Sequence, residues 1–272
     1  MKIKIINDDF SAVWDGVFYK KLSDYPHVTD WEIRTLVEFI DYEKLHGRSC
    51  TIECDDKVLL NEIKDKISKK GLYIDAPRSA LITECTACLD KGCLTDFVCH
   101  TTSLENAIKI FECGSLLSAT RARGIPAEIL MQESRNAAND PMDYFDYIMF
   151  AWGNCQAGDR LVMERYLGRF PSEEDLSLNF KPGIRFYFEY ERLAAHPNRV
   201  FDGVLPMKVK DEVRLCDWVY RIVIPKELKE KIADFIPENL QGKIVYIEND
   251  CKDIWEWSRK VYNTVKESKN DI

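Results

Sequence analysis

The stretch of residues 97–118 constrains the fold most, because a strand signal, a helix start and a helix end follow one another within it. Its short apolar run ends on a polar cluster that begins with His100. Ser103 can cap the first turn of a helix, and Gly114 can adopt the left-handed conformation that ends one. Apolar side chains recur between them at helical spacing, at Leu104, Ala107, Ile108 and Phe111. The stretch therefore predicts a strand followed by a helix, with a histidine at the junction, where side chains often serve chemistry.

Length and charge limit the classes of protein to which this chain can belong. Its 272 residues are 46% hydrophobic, which is enough to form a core in one large domain or two smaller ones. The net charge of −8 argues against a broad phosphate-binding surface, although it leaves room for a local basic groove. No apolar run approaches the roughly 20 residues of a membrane span, and the acidic N-terminal region is unlike a secretory signal. We therefore expect a cytoplasmic protein without membrane partners, whose ten cysteines are mostly reduced.

The segment 1–80 is interpreted as a small helical N-terminal module with one or two strands. Alternation predicts a strand over residues 2–6, and apolar residues at helical spacing predict a helix over residues 10–18. Thr29 and Glu32 form a capping-box pattern at the start of a further helix.

The segment 81–96 is interpreted as a connector that contains three cysteines. Cys85 and Cys88 have the spacing at which two thiolates can share a zinc ion, and Cys93 follows five residues later. A second pair at matching spacing is missing from the sequence. Buried or half-exposed thiols are therefore favoured over a zinc site, which remains the alternative.

The segment 97–272 is interpreted as one α+β domain. Short apolar and aromatic runs predict strands over the residue ranges 146–152, 183–190, 220–225 and 243–247. Helices are predicted over the ranges 159–166 and 253–265. Because strands and helices do not alternate regularly, the pattern favours an α+β fold over a doubly wound parallel sheet.

The sequence lacks the short motifs of the commonest nucleotide-binding, hydrolase and zinc-protease sites, namely GxGxxG, the P-loop, GxSxG and HExxH. What remains is an ordered set of short segments at element edges. These are His100-Thr101-Thr102, Asn106-Ala107-Ile108, Gly114-Ser115-Leu116-Leu117-Ser118, Asp146-Tyr147-Ile148-Met149-Phe150 and Asp211-Glu212-Val213-Arg214-Leu215.

In order and approximate spacing, this set resembles the ADP-ribosyltransferase superfamily, and most nearly its DarT-like branch, the toxin enzymes that modify DNA. That family has a first strand ending in a histidine motif, a helix with an Asn-x-x-Ile pattern, an aromatic middle strand and a catalytic glutamate at the start of a short strand. In Asn106-Ala107-Ile108 the spacing is one residue shorter than in the family's helix pattern. The likeness covers about half of the chain, residues 95–230. Asp211 stands where the family has alanine before the glutamate, and the N-terminal module has no counterpart. The resemblance implies an ADP-ribosyltransferase-like split β-sheet core.

The resemblance also implies a reaction, the transfer of ADP-ribose from NAD to an unknown macromolecular acceptor, protein or nucleic acid, with release of nicotinamide. Glu212 would stabilise the positive charge that develops on the ribose and would orient or deprotonate the acceptor. His100 would hydrogen-bond a ribose hydroxyl. No metal is expected to take part in this reaction.

Further NAD contacts are implied on the same grounds. Thr101 belongs to the histidine motif, Arg121 or Arg123 would pair with the pyrophosphate, and Tyr147 or Phe150 would stack on nicotinamide. The alternative from a different class is a non-catalytic interaction protein. In that case the fold serves as a scaffold and the N-terminal module serves as the docking surface.

Overall fold

A computed structural model describes residues 1–8, 11–82, 95–132, 141–177 and 179–268. The chain divides into two compact units, each assembled from separate stretches of sequence. The first comprises Met1–Leu94, Ala127–Tyr144 and Val200–Lys208, and the second comprises Thr95–Pro126, Phe145–Arg199 and Val209–Ile272. Cys85, Cys88 and Cys93, the residues of the predicted zinc alternative, lie outside the described residues.

The first unit contains a four-stranded sheet in the order β2-β3-β1-β4. Its strands are β1 (Lys2–Ile6), β2 (Ala12–Trp14), β3 (Val17–Lys21) and β4 (Thr51–Glu53). Its helices are α1 (Asp30–Leu45), α2 (Lys57–Ser68) and the short helices Gly71–Ile74, Arg78–Ile82 and Ala127–Leu130. The core between sheet and helices contains Ile3, Phe18, Leu36, Phe39 and Ile63.

The helix predicted over residues 10–18 is wrong, because β2 and β3 form an antiparallel hairpin there. Asp15 and Gly16 both have positive φ, 48° and 75°, between the two strands. An Asp-Gly pair is the typical two-residue connection of such a hairpin, because its left-handed backbone matches the twist of the strands. This turn signal outweighs the helical spacing of the apolar residues around it.

The capping box at the start of α1 is confirmed. The Thr29 side chain accepts a hydrogen bond from the backbone N–H of Glu32 at 3.3 Å, and the Glu32 carboxylate accepts one from the backbone N–H of Thr29 at 2.9 Å. The same carboxylate accepts a further bond from the backbone N–H of Ser23 at 2.6 Å. The Thr29 hydroxyl donates a third bond to it at 3.1 Å, so three local donors satisfy a carboxylate that is buried.

The second unit is organised on a seven-stranded sheet in the order β13-β12-β8-β5-β7-β10-β9. The strands are β5 (Phe97–Thr102), β7 (Tyr147–Trp152), β8 (Ile184–Glu189), β9 (Arg199–Val200), β10 (Met207–Lys210), β12 (Arg221–Pro225) and β13 (Ile244–Ile247). The division between the units falls within β9 and β10. A separate two-stranded ribbon pairs β6 (Ser115–Leu117) with β11 (Glu212–Arg214).

The long helices of the second unit are α3 (Leu104–Cys113), α4 (Ala157–Leu167) and α5 (Ile254–Glu267). Short helices span Ala119–Arg123, Tyr190–Leu193, Leu215–Trp218 and Lys229–Ile232, and 3-10 turns span Met142–Asp146, Lys226–Leu228, Ala233–Phe235 and Glu238–Lys243. Helices together with mixed sheets confirm the predicted α+β class. None of the helices in the described ranges combines the length and apolar character that a membrane span requires.

The strand-to-helix transition predicted at residues 97–118 is confirmed. β5 runs over Phe97–Thr102, the Ser103 hydroxyl accepts a hydrogen bond from the backbone N–H of Asn106, and α3 follows. Gly114 then has φ 73°, the left-handed conformation that ends the helix.

The two faces of the large sheet are covered by different helices. β5 lies between β7 and β8, and its register with β8 places His100 opposite Phe186 and Cys99 opposite Tyr187. α3 covers the His100 face, where the rings of Phe111 and Phe186 lie 5.7 Å apart. Because successive strand residues face opposite sides, Cys99 belongs to the other face, where it packs in a core with Trp257 of α5.

A fully buried ion pair lies on the Cys99 face. Arg185 of β8 and Asp159 of α4 are both 0% exposed, and the Arg185 Nε donates to Asp159 Oδ2 at 3.1 Å. The backbone N–H of Gly183 donates to the other carboxylate oxygen at 2.9 Å, and the Arg185 guanidinium also contacts Ser258. The adjacent carboxylate raises the pKa of Arg185 despite the opposing effect of its burial. This pair attaches α4 to the sheet.

Candidate functional site

His100 lies within β5, two residues before the strand ends at Thr102, rather than at the predicted junction of strand and helix, and its ring contacts the neighbouring strand. Its Nδ1 lies 3.1 Å from the backbone carbonyl of Met149 on the neighbouring strand β7. A carbonyl only accepts hydrogen bonds, so Nδ1 carries the proton and Nε2 keeps a lone pair. Burial lowers the pKa of His100, against the opposing effect of the Met149 carbonyl. A neutral ring with a free acceptor nitrogen can bind a hydroxyl group.

Glu212 begins β11 and contacts two of the neighbouring polar side chains. The Ser115 hydroxyl on the paired strand donates to Glu212 Oε1 at 2.7 Å. The Arg121 guanidinium lies 3.3 Å from Glu212 Oε2, with 53% of the Arg121 side chain and 32% of the Glu212 side chain exposed. Each carboxylate oxygen thus has a different kind of partner, and the carboxylate side chain is partly exposed to solvent.

Arg121 is positioned by a short helix that starts next to the ribbon. Ser118 caps the helix Ala119–Arg123, accepting a hydrogen bond from the backbone N–H of Arg121 at 3.4 Å. The backbone N–H of Ser118 donates to the carbonyl of Asp211, the residue before Glu212, at 2.8 Å. The start of this helix and the start of β11 are therefore joined by one backbone bond.

The ribbon and His100 are both attached to β7. The backbone N–H of Asp211 donates to the carbonyl of Asp146 at 3.0 Å, at the start of β7, and the Thr120 hydroxyl donates to the Asp146 carboxylate at 2.9 Å. Asp146 and Met149, the acceptor for His100, are three residues apart, which corresponds to about 10 Å along a strand. Among the described residues, no hydrogen bond or ion pair joins His100 to Glu212 directly.

The ribbon is also attached to the helix that covers the His100 face. The backbone N–H of Leu215, which follows β11, donates to the carbonyl of Gly114 at the end of α3 at 2.9 Å. Val213 and Leu116, which are paired in the ribbon, are buried, whereas Glu212 is partly exposed. The ribbon that carries Glu212 is thus joined by a backbone hydrogen bond to the helix that packs on the His100 face of the sheet.

The other predicted NAD contacts have different surroundings. Thr101 follows His100 and faces the opposite side of the sheet, where a Cβ built on Gly158 would lie 2.4 Å from its hydroxyl oxygen. Tyr147 is buried, and Arg123 is exposed at the end of its short helix. The ring of Phe150 is buried. Its centroid lies 6.3 Å from that of the His100 ring and 5.2 Å from that of the Phe188 ring. Phe150 thus packs directly beside His100.

The site contains polar residues whose role was not predicted from the sequence. Ser115, Thr120 and Asp146 contribute the bonds that hold Glu212 and the ribbon in place. Ser115 lies in the segment Gly114–Ser118, one of the segments that carry the resemblance, and the pairing of β6 with β11 brings it to Glu212.

A metal site is not formed in the described ranges, where no group of three or more histidine, cysteine, aspartate or glutamate side chains could hold an ion. The cysteines of the zinc alternative lie outside those ranges.

Comparison with known proteins assigns no family to this chain. No protein-family model matches it, and it has no match among the curated proteins or the solved structures.

Proposed function

We propose that this chain is an NAD-dependent ADP-ribosyltransferase that acts on a macromolecular acceptor. The observation that carries the proposal is the ion pair between Arg121 and Glu212, because the resemblance implies that both residues contact one NAD molecule. A carboxylate for the ribose and a guanidinium for the pyrophosphate are the two charges that NAD requires of such a site.

The reaction breaks the bond between the nicotinamide nitrogen and C1′ of the ribose. Nicotinamide leaves with the bonding electron pair, and the ribose develops positive charge that the Glu212 carboxylate stabilises. The acceptor then bonds to C1′, and its proton passes to Glu212. The hydrogen bond from Ser115 fixes Oε1, so Oε2 is the oxygen that faces the reacting groups.

His100 orients the ribose in this mechanism. Its Nδ1 is occupied by the Met149 carbonyl, so Nε2 accepts a hydrogen bond from a ribose hydroxyl. The lowered pKa of His100 keeps the ring neutral near pH 7, which preserves this acceptor.

Arg121 changes partners when NAD binds. Without ligand it neutralises Glu212, and with ligand it pairs with a pyrophosphate oxygen and releases Oε2 for the ribose. Since more than half of the Arg121 side chain is exposed, this exchange requires only a rotation of the side chain.

The experiment compares nicotinamide release by the full-length protein and two variants. With NAD labelled in the nicotinamide ring and water as acceptor, we expect Glu212→Gln to lower the rate about 100-fold or more. Glu112→Gln removes an exposed carboxylate on α3 and is expected to leave the rate unchanged. Equal rates for Glu212→Gln and wild type, or no release by wild type at saturating NAD, would contradict the proposal and favour a non-catalytic scaffold.

A further inference from the structure

Three cationic side chains contact the short segment that joins β11 to β12, residues 215–220. They come from three separate elements, namely Arg192 in the short helix Tyr190–Leu193, Arg221 at the start of β12 and Lys243 at the end of the 3-10 turn Glu238–Lys243. Arg192 is exposed, whereas Arg221 and Lys243 are half-buried. The second unit therefore carries a local concentration of positive charge in a chain whose net charge is −8.

Two of these cations bind backbone carbonyls that are two residues apart in the segment. The Arg192 Nη2 donates to the carbonyl of Asp217 at 2.5 Å, and the Lys243 Nζ donates to the carbonyl of Val219 at 2.7 Å. Burial and the nearby charge of Arg192 lower the pKa of Lys243. Arg192 and Lys243 are thus close enough to repel each other as well as being bound to the same segment.

The third cation, Arg221, lies beside the other two. Its Nη1 donates to the carbonyl of Tyr220 at 3.4 Å, and its guanidinium lies 4.8 Å from the centroid of the Tyr220 ring. Its charge also lowers the pKa of Lys243, although burial is the largest cause of that shift. Because Lys243 responds to both arginines, the three residues form one group, which we call the cationic cluster.

The cationic cluster has little negative charge to balance it. Within the described ranges, none of its three members forms an ion pair with a carboxylate. The Asp217 carboxylate raises the pKa of Lys243, but its own ion pair is with Arg214, which is not a member of the cluster. Three like charges held together in this way favour the binding of an anion.

Each member of the cationic cluster has further donors for a ligand. A guanidinium has five N–H donors and an ammonium group has three, and each member uses one of them in the hydrogen bonds to the backbone. The fork of a guanidinium matches two oxygens of a phosphate group, and a lysine adds a point charge. Since Coulomb attraction increases with the charge of the ligand, three cations favour a dianion over a singly charged phosphodiester.

We propose that Arg192, Arg221 and Lys243 form a binding site for a phosphate dianion, either free phosphate or the phosphate of a monoester. The phosphate oxygens accept hydrogen bonds from the two guanidinium groups and the ammonium group. Because Arg192 is exposed, the group esterified to the phosphate can extend into solvent. None of the three residues is among the proposed NAD contacts, so this site is additional to the proposed transferase site.

The test is a titration of the full-length protein with inorganic phosphate at constant ionic strength, followed by backbone ¹H–¹⁵N NMR. We expect saturable shifts at residues 217–221. Arg192→Gln and Lys243→Gln should each weaken binding about tenfold or more, because each loses a charge-assisted hydrogen bond. Arg160→Gln removes an exposed arginine of α4 and should bind phosphate as wild type does.

The same titration has two results that would overturn the proposal. One is the absence of saturable shifts in wild type, or affinity that is unchanged in both Arg192→Gln and Lys243→Gln. The other is a set of shifts centred on Arg121 and Glu212 instead of residues 217–221, which would place the phosphate at the proposed NAD site. The titration requires no NAD, so its outcome is independent of the proposed transferase activity.

Two further ligands identify the form of phosphate that binds. Methyl phosphate is a monoester dianion, and dimethyl phosphate is a diester with one negative charge. We expect dimethyl phosphate to bind roughly tenfold more weakly than methyl phosphate or inorganic phosphate, because its charge is lower. The tighter of the two dianions identifies the source of the phosphate, and either result supports the site. Equal affinity for methyl phosphate and dimethyl phosphate would contradict the preference for a dianion.

Discussion

Arg121 and Glu212 form an ion pair, with Nη2 of the arginine 3.3 Å from Oε2 of the glutamate. They are 91 residues apart in sequence (212 − 121), and the ribbon of β6 and β11 brings them together. Their side chains are partly exposed, so the pair contributes little to stability. Its significance lies in what each charge can bind when the two separate.

Arg121→Ala is expected to weaken NAD binding without unfolding the protein. Loss of a charge-assisted bond to a phosphate costs about 1.5–3 kcal/mol, which corresponds to roughly a 10- to 150-fold higher KM for NAD. The free energy of unfolding should change by less than about 1 kcal/mol, because the pair is exposed. Arg214→Ala is the control, since Arg214 is an exposed arginine on the same ribbon. Equal KM values for the two variants would contradict the role of Arg121.

Gly203→Ala is expected to destabilise the first unit strongly. Gly203 has φ +68°, and a Cβ there would lie 1.8 Å from the backbone oxygen of Thr35 in α1. The left-handed backbone costs an alanine roughly 1–2 kcal/mol, and the overlap with Thr35 costs roughly 1–3 kcal/mol more. Urea unfolding measures the resulting loss in the free energy of unfolding. Gly47 has φ +74° and open space around its Cβ position, so Gly47→Ala should incur only the first cost. Equal losses in the two variants would show that the close approach to Thr35 is unimportant.

Asp159→Asn is expected to be among the most destabilising polar substitutions in the second unit. It leaves the fully buried Arg185 without its counter-charge, which typically costs about 3–5 kcal/mol. The control is Glu248→Gln, because the Lys226–Glu248 pair is exposed and should contribute less than about 1 kcal/mol. Chemical denaturation measures both changes. A small loss in Asp159→Asn, comparable to that of the control, would rule out the stabilising role of the buried pair.

The stability of the fold is expected to fall as the pH decreases through about 6.5. Burial lowers the pKa of His100, so below the unfolded-state pKa the unfolded chain binds a proton that the folded chain does not. The loss levels off below the folded-state pKa. Comparing the free energy of unfolding at pH 7.5 and 5.5, His100→Asn should show a smaller decrease than wild type. Burial also lowers the pKa of His196, but that contribution is present in both proteins. Equal decreases in the free energy of unfolding of wild type and His100→Asn would contradict the claim that burial lowers the pKa of His100.

Local signals in the sequence were sufficient to predict much of the fold. The Thr29–Glu32 capping box and the Ser103 cap act between residues three positions apart, so they can be read directly from the sequence. The hairpin at Asp15-Gly16 differs from the helix that the apolar spacing predicts, although its turn signal is equally local.

The site was only partly predictable, because its contacts are between distant segments. His100, Arg121 and Glu212 could be proposed individually, from their predicted positions at element edges and from the resemblance. The Ser115–Glu212 bond depends on pairing strands that are nearly a hundred residues apart, and the buried Arg185–Asp159 pair depends on how α4 packs on the sheet. Neither interaction produces a periodic pattern in the sequence. The α+β class follows from local signals, whereas the arrangement of charges required the three-dimensional structure.

The most direct test of the central claim is a crystal structure of the Glu212→Gln variant with bound NAD, because this variant should bind the dinucleotide without consuming it. We predict that the nicotinamide ribose lies between residue 212 and His100, with a ribose hydroxyl within hydrogen-bonding distance of His100 Nε2 and the Arg121 guanidinium on the pyrophosphate. NAD bound elsewhere, or no NAD in crystals at saturating concentration, would contradict the claim that His100 and Glu212 form one NAD site.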